Sequence, residues 1–416
     1  MQENKYIDHH AHVWGTGYKM LHPKLDDAKS IDDILNILRP SLAEHTQQFL
    51  IARGWDQNKW QDKRFPTREH LDGLTTEIPV ALIRIDGHAM WCNSKALEFA
   101  SVTRNTPIPS GGDILKTPLG EPTGILLDDA MQLIYDAMPP DDEASITRTL
   151  RTGLDEFARY HVEVHDMGIP AEWWEPYKKL YENEGDSLIR AKVFLDMSKP
   201  SGKKLFHEKI KSKNFNDSPH PNLELVGIKL YLDGALGSRG AQLFEPYSDD
   251  PNNYGLSLMD DSEALELMSL ATKKNLVIAI HAIGDKANSR ALDLFSRIPT
   301  PHRRIEHAQI IREEDLPRFA QLGVTAVIQP QFFASDRHWA IDRLGPERMK
   351  NAYRWKSLLD AEINVLASSD SPVEEANPFT GIELLQTRDG ISDKEAITKE
   401  EAEKMYGVAR ILNVEF

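Results

Sequence analysis

The chain has 416 residues, 40% of them hydrophobic and 8% aromatic, enough to bury one large core or two ordinary ones, which excludes an intrinsically disordered protein. Its 65 acidic against 49 basic residues leave a net charge of −16, which repels phosphate backbones and argues against nucleic acid as a partner. Cys92 is the single cysteine, so an internal disulfide and a thiolate metal cluster are both excluded, and any metal must be held by nitrogen and oxygen.

In chain order, the first apolar run is YIDHHAHVWG (6–15), which places three histidines within four positions at the end of a strand expected over 5–12. Imidazole is a poor strand filler, so the cluster needs either a surface explanation or a chemical one. A gap of roughly 150 residues follows before the next strand-like run, too long for a structureless loop. It carries its own apolar segments, FLIARGWDQ and PVALIRIDGH, and the turn-rich TPIPSGGDILKTPLGEPTG. An inserted subdomain over about 40–135, lying above a barrel mouth, is the expectation.

From RYHVEVHDMG onward, short β-rich runs alternate with longer amphipathic ones. Strands are expected over 161–168, 189–197, 223–233, 275–281, 303–309, 323–330 and 363–370. Nearly continuous apolar runs belong to parallel strands covered by helices on both faces. Eight such units predict an α/β fold, a (β/α)8 TIM barrel with a large insertion between strands 1 and 2. The lysine-rich KPSGKKLFHEKIKSK (199–213) has the look of a solvated helix face. With no 18-residue apolar window and no secretory leader, the expectation is a soluble cytoplasmic protein with no membrane partner.

Polar residues fall at the strand ends that a barrel brings to one mouth. His10 and His12 follow the first strand, Lys229 lies in the fourth, His281 ends the fifth, His307 the sixth and Asp370 the eighth. Strand alternation sends His10 and His12 to one side, able to grip one cation, while His9 faces away. A lone strand-end histidine is more often a hydrogen-bonded structural residue, and a lone buried lysine often snorkels. Five coincidences at separate strand ends favour a metal centre instead.

The phrases IDHHAHVWG, PTREHLDGL, PVALIRIDGHAMWCNSKAL, EPTGIL, VHDMG, GIKLYLDGALGSRGA, HAIGDKAN, RIEHAQI and LGPERMKNAYRWKSLLDAEINVLASSDSPVE span 7 to about 380. In these phrases and their order the chain resembles the amidohydrolase superfamily, specifically the amidohydrolase family 3 branch that includes N-substituted formamide deformylase-like metal-dependent hydrolases. The resemblance implies a metal site of His10, His12, His281, His307 and Asp370. It also implies that Lys229 occupies a position that can be carbamylated to bridge two metals; carbamylation would convert a cation that cannot ligate into an anionic oxygen donor. The expected cofactor is a divalent metal, Zn²⁺ above others, as one ion or as two if Lys229 is carbamylated.

Such an ion lowers the pKa of bound water from about 15.7 toward about 7. Asp370 beside that water would act as general base and then general acid. His88, Asp233 and Arg239 lie in matched segments and are candidates for orienting substrate, the alternative being loop scaffolding by glycine turns and an ion pair. His165 ends the second strand and is expected to support the site from behind it. Trp55, Trp91 and Trp339 are candidates for an apolar pocket or for packing.

Relatives usually carry a small β-sandwich built from segments flanking the barrel. This sequence starts at the first strand and stops at YGVARILNVEF, so the sandwich is expected to be missing, which would expose barrel surface and favours a homodimer or marginal stability. Phe332 stands where many relatives have histidine, and Asp128 where glutamate is common. The resulting expectation is a metal-dependent hydrolase of an amide or N-acyl carbon-nitrogen bond with a small-molecule substrate. The alternatives are a deaminase, an ester or lactone hydrolase, and a metal-binding regulatory barrel without turnover.

Overall fold

The computed structural model describes residues 5–43, 49–85, 89–109, 112–139, 141–388 and 394–407. The chain divides into two compact units: Met1–Gly17 with Ile146–Phe416, and Tyr18–Ser145. In chain order the strands are β1 (Tyr6–Ala11), β2 (Leu50–Trp55), β3 (Val80–Arg84), β4 (Ala89–Cys92), β5 (Gly112–Lys116), β6 (Pro122–Asp128) and β7 (His161–Ile169), followed by β8 (Arg190–Asp196), β9 (Leu223–Tyr231), β10 (Val277–Ala282), β11 (Arg303–His307), β12 (Thr325–Ile328) and β13 (Val365–Ala367).

The first unit is a sheet in the order β1-β7-β8-β9-β10-β11-β12-β13, parallel at each of its seven pairings. The eight segments expected from the sequence are these eight strands, with ends shifted by at most three residues. β13 and β1 meet through the segment that follows β13, where Asp370 N–H donates to the His10 carbonyl (2.8 Å) and His12 N–H to that of Ser371 (2.8 Å). The result is a nearly closed α/β barrel.

Helices between consecutive strands supply the outer layer. Asp285–Arg297 shows why they form: Ala287, Ala291, Leu294 and Phe295 recur at helical spacing and are buried, each large side chain contributing roughly 1.5–3 kcal/mol. Alternation along β10 sends Ile278 and Ile280 into that sheet–helix core. It sends Ala279 the other way, against Met167 of β7 and Phe194 of β8, in a small cluster inside the barrel. The helix Pro200–Lys211 departs from a fully solvated face: Lys209 is buried, its Nζ 2.5 Å from Asp217 Oδ1 and 5.3 Å from the Trp174 ring centre.

The second unit holds a five-stranded sheet, β2-β3-β4-β6-β5, in which β2 and β3 are parallel and the rest antiparallel. Trp55 and Trp91 are fully buried in its core, and their indole N–H groups donate to Leu82 O (2.8 Å) and Thr67 O (2.9 Å). They are packing residues. Among the described residues no helix is long and apolar enough to cross a membrane.

Candidate metal centre

The first strand is not a regular one. Between Asp8 and Ala11 its register against β7 slips, three residues spanning what Val164 to Asp166 covers in two. Such a bulge re-aims side chains, so simple alternation does not govern His9 and His10. His10 is buried with its ring 5.6 Å from that of His12 and 5.0 Å from that of His307, and His9 is buried beside His165, ring centres 5.0 Å apart. His9 does face away from the cluster, but into a second polar layer.

Three strand-end residues, His10, His307 and Asp370, bring ligand atoms within 4.8 Å of one another, and all three are buried. Asp370 Oδ1 lies 3.4 Å from His10 Nε2 and 3.1 Å from His12 Nε2. The shorter of these approaches, to His12, is at hydrogen-bonding distance and helps to hold the carboxyl below its ordinary value. Two atoms bound to one tetrahedral cation at about 2.0–2.2 Å stand about 3.3–3.6 Å apart, close to the observed spacing. A buried carboxylate oxygen facing two imidazole nitrogens at that separation fits a divalent cation, and the donor set is the nitrogen and oxygen set that zinc accepts.

The tautomers agree. His10 Nδ1 is 2.7 Å from Glu306 Oε2. An ionised carboxylate can only accept, so Nδ1 carries the proton and the Nε2 lone pair faces the centre. His307 is set differently. Ser368 Oγ donates to Ile328 O (3.1 Å) and therefore accepts from Gln329 Nε2 (3.0 Å), which leaves Gln329 Oε1 to accept from His307 Nδ1 (2.7 Å).

His281 packs against His307, ring centres 4.4 Å apart, and its Nε2 lies 3.5 Å from Asp233 Oδ1. It falls outside the 4.8 Å group. Lys229 is buried, its Nζ 3.3 Å from His10 Nε2.

Burial, aided by the Lys229 charge, holds His10 well below the usual imidazole range and His307 at about 3. Burial and the neighbouring His307 do the same for His281. These rings are neutral, as ligation requires. Burial pushes the Asp370 carboxyl up, but His10, His12 and Lys229 together bring it below its ordinary value.

Two centre residues sit in the left-handed backbone region, His307 at φ 73° and Asp370 at φ 56°. Such conformations cost about 1–3 kcal/mol each and collect at functional sites. Gly168, at φ +79°, is the glycine of VHDMG: a Cβ there would sit 2.4 Å from the Tyr231 hydroxyl, whose ring stands 5.8 Å from that of His281.

The remaining candidates are dispersed. Both Asp233 oxygens accept backbone N–H groups, from Ile283 (3.1 Å), Gly284 (2.8 Å) and Gln242 (2.9 Å). Arg239 pairs with Asp249 through two hydrogen bonds of 3.1 and 3.0 Å, not with Asp233. His88 lies outside the described residues. His165 sits between Glu163 (3.0 Å) and Arg304 (2.9 Å). Phe332 lies parallel to the His307 ring, centres 6.1 Å apart. Sequence reasoning missed Glu306 and Gln329; the signal for Glu306 was its place beside His307 in RIEHAQI.

The model described as the amidohydrolase family matches residues 6–411. YtcJ of Bacillus subtilis strain 168 is 34% identical over 415 residues, covering 96% of this chain and 75% of that protein. N-substituted formamide deformylase of Arthrobacter pascens is 25% identical over 370 residues, covering 84% and 67%. The crystal structure of a metal-dependent hydrolase from Pyrococcus horikoshii superposes with a TM-score of 0.82 at 28% identity, covering 97% of this chain and 79% of that one. A family match over nearly the whole length, together with this barrel, makes the chain a member of the amidohydrolase family.

Proposed function

We propose that the protein is a zinc-dependent hydrolase of a carbon-nitrogen bond in an amide or N-acyl compound. The observation that carries this reading is buried Asp370 Oδ1, set 3.4 Å from His10 Nε2 and 3.1 Å from His12 Nε2, with His307 in the same 4.8 Å group as His10 and Asp370. His10, His12, His307 and Asp370 would hold the ion, with His281 completing the set. When bound, such an ion supplies an acidified water and polarises a carbonyl oxygen. Asp370 accepts the proton of the attacking water and hands it to the leaving nitrogen. The amide reading is supported by the named activity of the Arthrobacter pascens relative.

Lys229 supports a second ion. Burial drives its amine down to about 8, the direction that favours the neutral amine able to add carbon dioxide. The resulting carbamate oxygens would reach the His10 side of the site from a point 3.3 Å away.

The test is purification with zinc, manganese or cobalt, followed by assay on N-formyl and N-acyl amines, esters, lactones and amino-heterocycles. Chelator-sensitive release of amine from an acyl donor is expected. Turnover confined to esters, or to ammonia release from a heterocycle, would replace the reading, and bound metal without turnover on any of them would point to the regulatory alternative.

A further inference from the structure

Glu306 and Arg304 stand two residues apart on β11 and so face the same way. Both are buried, Glu306 completely. Arg304 Nε donates to Glu306 Oε1 (2.8 Å) and Nη2 to Oε2 (3.2 Å). Its other contacts are with His165 Nδ1 (2.9 Å) and the His9 carbonyl (2.7 Å). The guanidinium is thus held by four hydrogen bonds to three partners, and it holds the carboxylate that faces His10 Nδ1.

We propose that Arg304 and Glu306 are positioning residues that fix His10 in its Nδ1–H tautomer, so that the Nε2 lone pair faces the cation position, with Lys229 Nζ 3.3 Å away on the same side. The inference rests on the metal reading above. Gln329 does the same for His307 with a neutral amide whose orientation Ser368 dictates. At His10 the orienting group is charged and locked by a charge, and this makes a sharp prediction.

In Glu306→Gln the side chain keeps its shape but now has one acceptor and one donor. Arg304 offers only donors, so the amide oxygen turns toward it and the amide N–H₂ is left facing His10 Nδ1. The imidazole proton then moves to Nε2 and points at the cation position. An isosteric change remote from substrate thereby reverses a ligand.

The experiment is a long-range ¹⁵N–¹H correlation on metal-free, ¹⁵N-histidine-labelled protein, with His10 assigned from its loss in His10→Gln. It is paired with zinc affinity measured by chelator competition. Wild type should show protonated Nδ1 and unprotonated Nε2. Folded Glu306→Gln should show the reverse, with zinc bound about 10- to 100-fold more weakly. A folded variant whose tautomer or zinc affinity is unchanged overturns the proposal. If circular dichroism shows that Glu306→Gln does not fold, the wild-type spectrum decides alone: an Nε2–H signal for His10 overturns the inference and an Nδ1–H signal upholds it. Wild type that takes up no zinc would sink the metal reading instead, a result distinct from an insensitive variant.

Discussion

Asp370 and His10 are joined twice: the Asp370 amide donates to the His10 carbonyl at 2.8 Å, and Asp370 Oδ1 lies 3.4 Å from His10 Nε2. One contact helps close the barrel where the last strand returns to the first. The other places the ligands at that seam. Folding and assembly of the site are therefore one event, because the closure that completes the sheet is what brings residue 370 to residue 10.

Asp370→Asn keeps size and loses charge. It should leave the far-ultraviolet circular dichroism unchanged and lower kcat by about 100- to 10,000-fold, the range for a lost general acid–base group. Steady-state turnover normalised to metal content checks this. Metal-loaded Asp370→Asn with near wild-type kcat would remove Asp370 from the proton-transfer role.

Gln329→Leu removes the acceptor of His307 Nδ1. The ring loses the bond that sets its tautomer, and zinc affinity should fall about 10-fold or more. Competition with a chromogenic chelator measures it, and an unchanged Kd would mean that packing against His281 and Phe332 is enough to hold the ring.

Asn288 is fully buried, and its Nδ2 lies within 3.0–3.2 Å of four carbonyls, those of Ala282, Ile283, Gly284 and Ile310. It ties the segment after His281 to the segment after His307. Asn288→Ala should cost about 2 kcal/mol by leaving buried carbonyls unpaired. Chemical denaturation at constant m-value tests this; a loss under about 0.5 kcal/mol would show that other groups take over those bonds.

The layer beneath the site makes the fold acid-sensitive. Burial holds His165 at about 4, although its bond to Glu163 draws it upward. The folded pKa lies below the unfolded value of 6.5. The unfolded chain thus takes the proton first, and the stabilisation present above pH 6.5 is lost as pH falls toward 4. Glu163 follows at lower pH. Burial pushes it up, but the bonds from His165 and Lys192 bring it to about 2, so its contribution is present above about pH 4.5 and is lost below that. His165→Gln should flatten Tm between pH 6.5 and 4 relative to wild type. Parallel Tm curves for the two proteins would contradict this.

Much of the barrel was legible because parallel strands bury both faces and leave long apolar runs at regular intervals. The candidate site residues were legible because polar residues at the ends of such runs are conspicuous, and three of them, His10, His307 and Asp370, come together in the fold. The orientation of His9 and His10 was only half legible: alternation correctly separates them, but a bulge between Asp8 and Ala11 sets where each ring goes, and no residue in YIDHHA announces it. Arg304 and Glu306 were hidden for a related reason. On their own strand they read as the polar half of an alternating pattern, and only closure into a barrel turns that half inward onto His10. Asp233 read as a mouth residue, yet three backbone N–H groups from two loops converge on it, an arrangement that depends on loop paths the sequence does not encode locally.

The central claim is that imidazoles and one acid from the first, sixth and eighth strands surround a shared cation position. The direct measurement is anomalous diffraction at the zinc edge from crystals grown with zinc. The account predicts a peak within about 2.0–2.2 Å of both His10 Nε2 and Asp370 Oδ1. Folded protein whose crystals show no peak there, or whose zinc lies away from these two atoms, would contradict it.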